Sequence, residues 1–153
     1  MLLRYKTLLR NSVPIRSAPT ETIITYTVPT LGEIYILEQL SLLASGGTTG
    51  LRTWEASFLL SEWLLEQEFN GKSISELWAG TGLVGVTAVK KGSNLTATDG
   101  SEAVVTKIHR NFERNNVVTD TSVLWWGENA NILEKKWDFI GNTLWQQSDM
   151  RIY

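Results

Sequence analysis

The chain has 153 residues, 42% of them hydrophobic and 20% charged, and a net charge of −2. That length allows one domain with a buried core, and the charge excludes a broad electrostatic surface for nucleic acid. The absence of cysteine excludes disulfides and cysteine-ligated zinc and fits a reducing compartment, while the single His109 excludes a histidine cluster, so no metal is expected.

Residues 1–12 read as a basic amphipathic helix with Leu2, Leu3, Leu8 and Leu9 along one side. Arg4, Lys6, Arg10 and Arg16 precede the first acid, Glu21, a pattern shared with mitochondrial presequences. Residues 11–20 read as a linker. Glu21–Thr27 is rich in β-branched residues, Val28–Gly32 turns the chain, and Glu33–Leu37 returns as a second strand. After the flexible loop Gly46–Gly50, Trp54–Glu66 reads as a largely apolar helix, buried on much of its surface. A strand–helix alternation follows. Ser73–Leu77 is a strand, Gly82–Lys91 a helix stopped by Gly92, and Asn94–Thr98 a strand. Glu102–Asn115 is a helix with Val104, Val105, Ile108 and Phe112 at helical spacing. Thr121–Trp126 is a third strand of this series, and Trp137–Ile140 starts a fourth. Such alternation predicts an α/β fold with a parallel, doubly wound sheet. No run is long and apolar enough to cross a membrane.

One stretch carries chemistry. Ser75-Glu76-Leu77-Trp78-Ala79-Gly80-Thr81-Gly82-Leu83-Val84-Gly85 runs from a strand through a glycine turn into a helix, and Asp99 ends the next strand. Open α/β sheets build nucleotide pockets this way: glycines let backbone N–H groups approach the ligand, and the acid takes the ribose hydroxyls. Trp78 stands where a glycine would open the turn. A β-carbon in the left-handed geometry of such a turn costs about 1–2 kcal/mol, and an indole there projects toward the ligand. Weak or absent cofactor binding is therefore expected. Plainer roles suit other residues: His109 on a solvated helix face, Asn115-Asn116 at a helix end, Lys135-Lys136 in a solvated turn. Trp125 alternates with Trp126 on a strand and is expected in the core.

Four segments carry a family resemblance: GGTTGLRTWEASFLL at Gly46–Leu60, Glu76–Gly85, ATDGS at Ala97–Ser101, and LWWG at Leu124–Gly127. Together they resemble the eukaryotic seven-strand protein-lysine methyltransferases, over residues 21–140. The GGTTGLRTWEA stretch, with the preceding ITYTVPTLGEIYILEQLSLLASGG, is most similar to the enzymes that methylate a lysine of translation elongation factor 2. The resemblance implies a Rossmann-like sheet that is incomplete, lacking its last strands, with an N-terminal β-hairpin-like extension. Residues 1–45 would form the extension and residues 46–153 a partial S-adenosylmethionine-binding domain. It implies S-adenosyl-L-methionine as cofactor, a protein substrate (elongation factor 2), and a cytoplasmic location, with a mitochondrial one as the alternative from the basic N-terminus. Trp54 would lie against the cofactor, Trp78, Ala79, Gly80 and Gly82 in the turn under its methionine part, Asp99 on the ribose and Trp126 beside the adenine.

Beyond Ile140 the chain departs from the family pattern. A small residue, Asp and an aliphatic residue should follow, with the Asp near the substrate amine. Only Ser148–Tyr153 resembles that motif, displaced, which makes Asp149 the candidate catalytic acid. The departure is expected to reflect an unspliced segment, a frameshift or a truncated gene model, which sequencing the mature transcript across Ile140–Tyr153 tests. Two rival functions remain. One is an inactive relic of the fold that binds a partner. The other is a fragment of a nucleotide-binding oxidoreductase, against which the LWWG and GGTTGLRTWEA segments speak.

Overall fold

The structure is a computed structural model and describes residues 4–6, 21–39, 49–125 and 136–142. Two sheets are present among the described residues. The first is antiparallel: β1 (Arg4–Lys6), β2 (Thr22–Val28) and β3 (Gly32–Glu38), in spatial order β1-β2-β3. β2 and β3 form the expected hairpin, closed by the Val28–Gly32 turn with Gly32 at φ +79°. Its alternation places Ile24, Tyr26 and Val28 of β2 and Ile34 and Ile36 of β3 in the core, with Ile24 opposite Ile36 and Tyr26 opposite Ile34. The Tyr26 hydroxyl donates to Glu38 Oε1 at 2.8 Å, which satisfies a buried carboxylate.

β1 corrects the helix expected over residues 1–12. Arg4, Tyr5 and Lys6 pair antiparallel with Thr27, Tyr26 and Thr25. A helix of about three turns is marginal on its own in water, whereas the open side of β2 offers unpaired backbone groups to any segment that reaches it.

The second sheet is parallel. It contains β4 (Ser73–Leu77), β5 (Asn94–Asp99), β6 (Asp120–Val123) and β7 (Phe139–Asn142) in the order β6-β5-β4-β7. The helices are α1 (Glu55–Glu66), α2 (Leu83–Lys90) and α3 (Glu102–Arg114). The expected α/β alternation is thus present. β6 ends three residues earlier than expected, and β7 starts two residues later. α1 differs in its buried face: Ser57, Ser61 and Leu64 are buried while Leu59 is 46% exposed. α1 packs on α2. Lys91, just past α2, closes the end of α1: its ammonium donates to the carbonyls of Leu64 (3.0 Å), Leu65 (2.8 Å) and Gln67. A cation there also complements the negative end of the helix. Gly92 follows at φ +91° and ends α2 as expected.

α3 joins the two sheets. Its apolar positions Val104, Ile108 and Phe112 are fully buried. Beside them Lys107, Asn111 and Asn115 recur every fourth residue and are also buried. Lys107 pairs with Glu21 at 2.7 Å, just before β2. Asn111 accepts from the Leu37 amide at 2.8 Å and donates to the Leu37 carbonyl at 3.3 Å and the Thr81 carbonyl at 2.9 Å. Asn115 accepts from the Tyr35 amide at 2.9 Å and donates to the Tyr35 carbonyl at 2.7 Å. One continuous core includes residues of both sheets, from Ile24 to Val117.

Asn111→Leu keeps the branched side-chain shape at a larger volume and removes three hydrogen bonds, leaving buried backbone groups of Leu37 and Thr81 unpaired. We expect urea unfolding to report a loss of about 2–4 kcal/mol, with a smaller loss for Asn115→Ala because Tyr35 lies nearer solvent.

Candidate functional site

The chain leaves β4, runs outward through β5 and β6, and returns on the other side of β4 as β7. The C-terminal end of β4 is therefore the topological switch point, where open α/β sheets place their ligands. The turn from Trp78 to Gly82 lies there. Gly80 (φ +56°) and Gly82 (φ +81°) both adopt left-handed backbone. Trp78 does so too, at φ +57°, so a tryptophan holds a conformation that glycine takes freely. Its indole nitrogen is buried, while the residue as a whole keeps partial exposure.

The turn is bonded to β5. The Ala79 amide donates to the Thr98 carbonyl at 2.9 Å, and the Thr98 hydroxyl donates to the Glu76 carbonyl at 3.1 Å. The Gly80 amide donates to Asp99 Oδ2 at 3.2 Å, and the Ser101 amide to Asp99 Oδ1 at 3.0 Å. Asp99 is nearly buried, and desolvation raises its pKa against the pull of these amides. The segment before α1 forms a wall. A β-carbon on Gly80 would lie 3.6 Å from the Gly50 carbonyl, and the Thr53 and Thr81 hydroxyls share a buried hydrogen bond of 2.7 Å. Trp54 caps this wall. It is 41% exposed, its indole donates to the Thr49 carbonyl at 3.0 Å, and the Arg52 guanidinium sits 6.0 Å from its ring centroid.

The structure therefore gathers Trp54, Trp78, Ala79, Gly80, Gly82 and Asp99 around one switch point. Trp126 and Asp149 lie outside the described residues. Trp125 needs correction. Expected in the core, it is 58% exposed. β6 stops at Val123, so strand alternation no longer governs it, and the Leu124 amide bonds the Asp99 carbonyl at 3.0 Å, carrying the chain across the end of β5. The Trp125 ring consequently lies beside Gly100, 3.8 Å from where a β-carbon would stand.

Glu76 escaped the sequence-based list of site residues. It is fully buried in β4, and neither carboxylate oxygen makes a well-formed hydrogen bond. Desolvation, reinforced by the nearby Asp99 charge and partly offset by the Gly85 amide, raises its pKa to about 8. Gly85 makes the room: a β-carbon there would come within 3.0 Å of Glu76 Oε2, 2.7 Å of Leu95 and 2.8 Å of Phe112. The signal in the sequence was an acid inside a strand whose neighbours on both sides are destined for the core.

The known proteins agree with this architecture. A family model described as lysine methyltransferase matches residues 38–143. The chain belongs to that family. Protein-lysine N-methyltransferase EFM3 of Chaetomium thermophilum is 39% identical over 102 residues, covering 61% of this chain and 30% of the relative. Protein-lysine N-methyltransferase EEF2KMT of Homo sapiens is 37% identical over 67 residues, covering 42% of this chain and 20% of the relative. The chain thus spans less than a third of either relative. Among solved structures, the Thermus thermophilus 16S rRNA N2 G1207 methyltransferase RsmC, in complex with AdoMet and guanosine, superposes with a TM-score of 0.61 at 15% identity. That match covers 91% of this chain and 40% of the other, and it establishes the Rossmann-like methyltransferase fold of this family member. No described helix is long and apolar enough to cross a membrane.

Two expectations follow from the turn. At position 78 a glycine should outlast an alanine: in chemical denaturation Trp78→Gly is expected to be more stable than Trp78→Ala by about 1 kcal/mol, the reverse of the usual order. The Glu76 carboxyl, raised from 4.5 to about 8, binds a proton in the folded state that the unfolded chain has released between those pH values. Stability therefore falls as pH rises through that window, by up to about 1.4 kcal/mol per unit from this group, and levels above it. Denaturation from pH 5 to pH 8 should show the fall in the wild-type chain and lose most of it in Glu76→Gln.

Proposed function

We infer that the chain is the cofactor-binding part of an S-adenosylmethionine-dependent protein-lysine methyltransferase, that its substrate is translation elongation factor 2, and that it works in the cytoplasm. The observation that carries this is the bond from the Gly80 amide to the Asp99 carboxylate, which joins glycine turn and strand-end acid into one site at the switch point. Membership of the lysine methyltransferase family supports the reaction class. The choice of elongation factor 2 rests on the resemblance of the GGTTGLRTWEA segment.

The nucleoside end of the site fits the cofactor. Asp99 can accept ribose hydroxyls, and the exposed indoles of Trp54 and Trp125 offer flat apolar faces, with Trp126 assigned to the adenine by resemblance. When bound, the cofactor supplies an electrophilic methyl group to a neutral lysine amine. The chain's own contribution is positioning and exclusion of water. Asp149 is the candidate to orient the amine. The amino-acid end fits less well, because Trp78 takes the place of a turn glycine. That single residue favours a second function, a relic of the fold that binds a partner without catalysis.

The test is methyl transfer from labelled S-adenosylmethionine to purified elongation factor 2, with elongation factor 1A as control protein. We expect slow labelling of elongation factor 2, about tenfold faster with Trp78→Gly and absent with Asp99→Ala. No labelling by wild-type or Trp78→Gly chain, both shown to be folded, leaves the relic.

A further inference from the structure

Two tryptophans lie in the segments that follow β4 and β6. The first is Trp78, in left-handed backbone with its indole nitrogen buried. The neighbouring amides are already committed within the protein: Ala79 to the Thr98 carbonyl at 2.9 Å, Gly80 to Asp99 at 3.2 Å, Gly82 to the Ala79 carbonyl at 2.9 Å. A glycine turn that binds a ligand carboxylate must offer free N–H groups and room for close approach. Here three of its amides are engaged, and the residue that should leave room carries the largest side chain.

At the nucleoside end the opposite holds. Asp99 accepts from the Gly80 and Ser101 amides, and a carboxylate has about four lone-pair sites, so it can still accept from ribose hydroxyls. Trp125 presents an exposed ring beside Gly100, one residue past Asp99. An indole face suits a purine.

We propose that this cleft selects a purine nucleoside without an amino-acid tail over the tailed cofactor. Trp78 rejects the tail and Trp125 holds the base. The proposal rests on the cleft being the nucleotide site inferred above and specifies its ligand.

Titration calorimetry of the full chain with 5′-methylthioadenosine and with S-adenosylhomocysteine tests it, since the two share the nucleoside and differ in the tail. The wild-type chain is expected to bind methylthioadenosine about tenfold more tightly. In Trp78→Gly, S-adenosylhomocysteine should gain about tenfold while methylthioadenosine stays within about twofold. Trp125→Ala should weaken methylthioadenosine by about three- to tenfold. Equal or tighter binding of S-adenosylhomocysteine by the wild-type chain overturns the selectivity and leaves the nucleotide site standing. If neither ligand binds the wild-type chain or a Trp78→Gly chain that melts cooperatively, the nucleotide site itself falls, and the proposal with it.

Discussion

The side-chain amide of Asn111 joins three segments far apart in sequence. Its oxygen and nitrogen take the Leu37 amide and carbonyl in β3, and its second donor reaches the Thr81 carbonyl in the cleft turn. The hairpin, α3 and the ligand turn are therefore positioned by one group. Phe112, the next residue, packs against the site of Gly82, with Cε1 3.0 Å from where a β-carbon would stand. The hairpin thus bears on the cleft through α3: a shift of β3 pulls on the residue that holds Thr81, and Thr81 shares its hydroxyl bond with Thr53 on the cleft wall.

Behind the turn the protein tolerates an unusual concentration of acid. Glu76 and Asp99 lie on neighbouring strands near their C-terminal ends, both nearly inaccessible to water. Asp99 is compensated by amides at the turn, whereas Glu76 has only the partial offset of the Gly85 amide, and the proton it retains is the cheaper alternative to a buried charge. The absence of a side chain on Gly85 is what allows α2 to close over this carboxyl. Function-bearing regions commonly hold such uncompensated groups and strained backbone together, and here Trp78 supplies the strain within two residues of Glu76.

The parallel sheet was legible because its strands alternate with helices at regular spacing, with glycines at the junctions around α2 and Asn115-Asn116 closing α3. The hairpin was legible through its β-branched runs and its turn. What the sequence could not show were features set by tertiary geometry. Residues 4–6 pair with β2 only once β2 exists as a partner. Ser57 and Ser61 are buried although both are polar, which no hydrophobicity pattern encodes. Asn115 looks like a helix terminator and is one, but its second task, bonding Tyr35, depends on a strand 80 residues away. In the cleft, the glycines and Asp99 followed from a recognisable spacing. Trp125 did not, because strand alternation was carried past the end of β6.

The two asparagines also decide what the first sheet can become. β3 is the last strand of that sheet, and an unpaired flank of N–H and C=O groups is a template on which another chain can crystallise a strand. At Tyr35 and Leu37 that flank is already saturated by side-chain amides of α3. Asn111 and Asn115 imitate a neighbouring strand while belonging to a helix, and so they terminate the sheet. The same amides that fasten the hairpin to the α/β unit deny it to strand-swapped dimers and fibrils growing from that side.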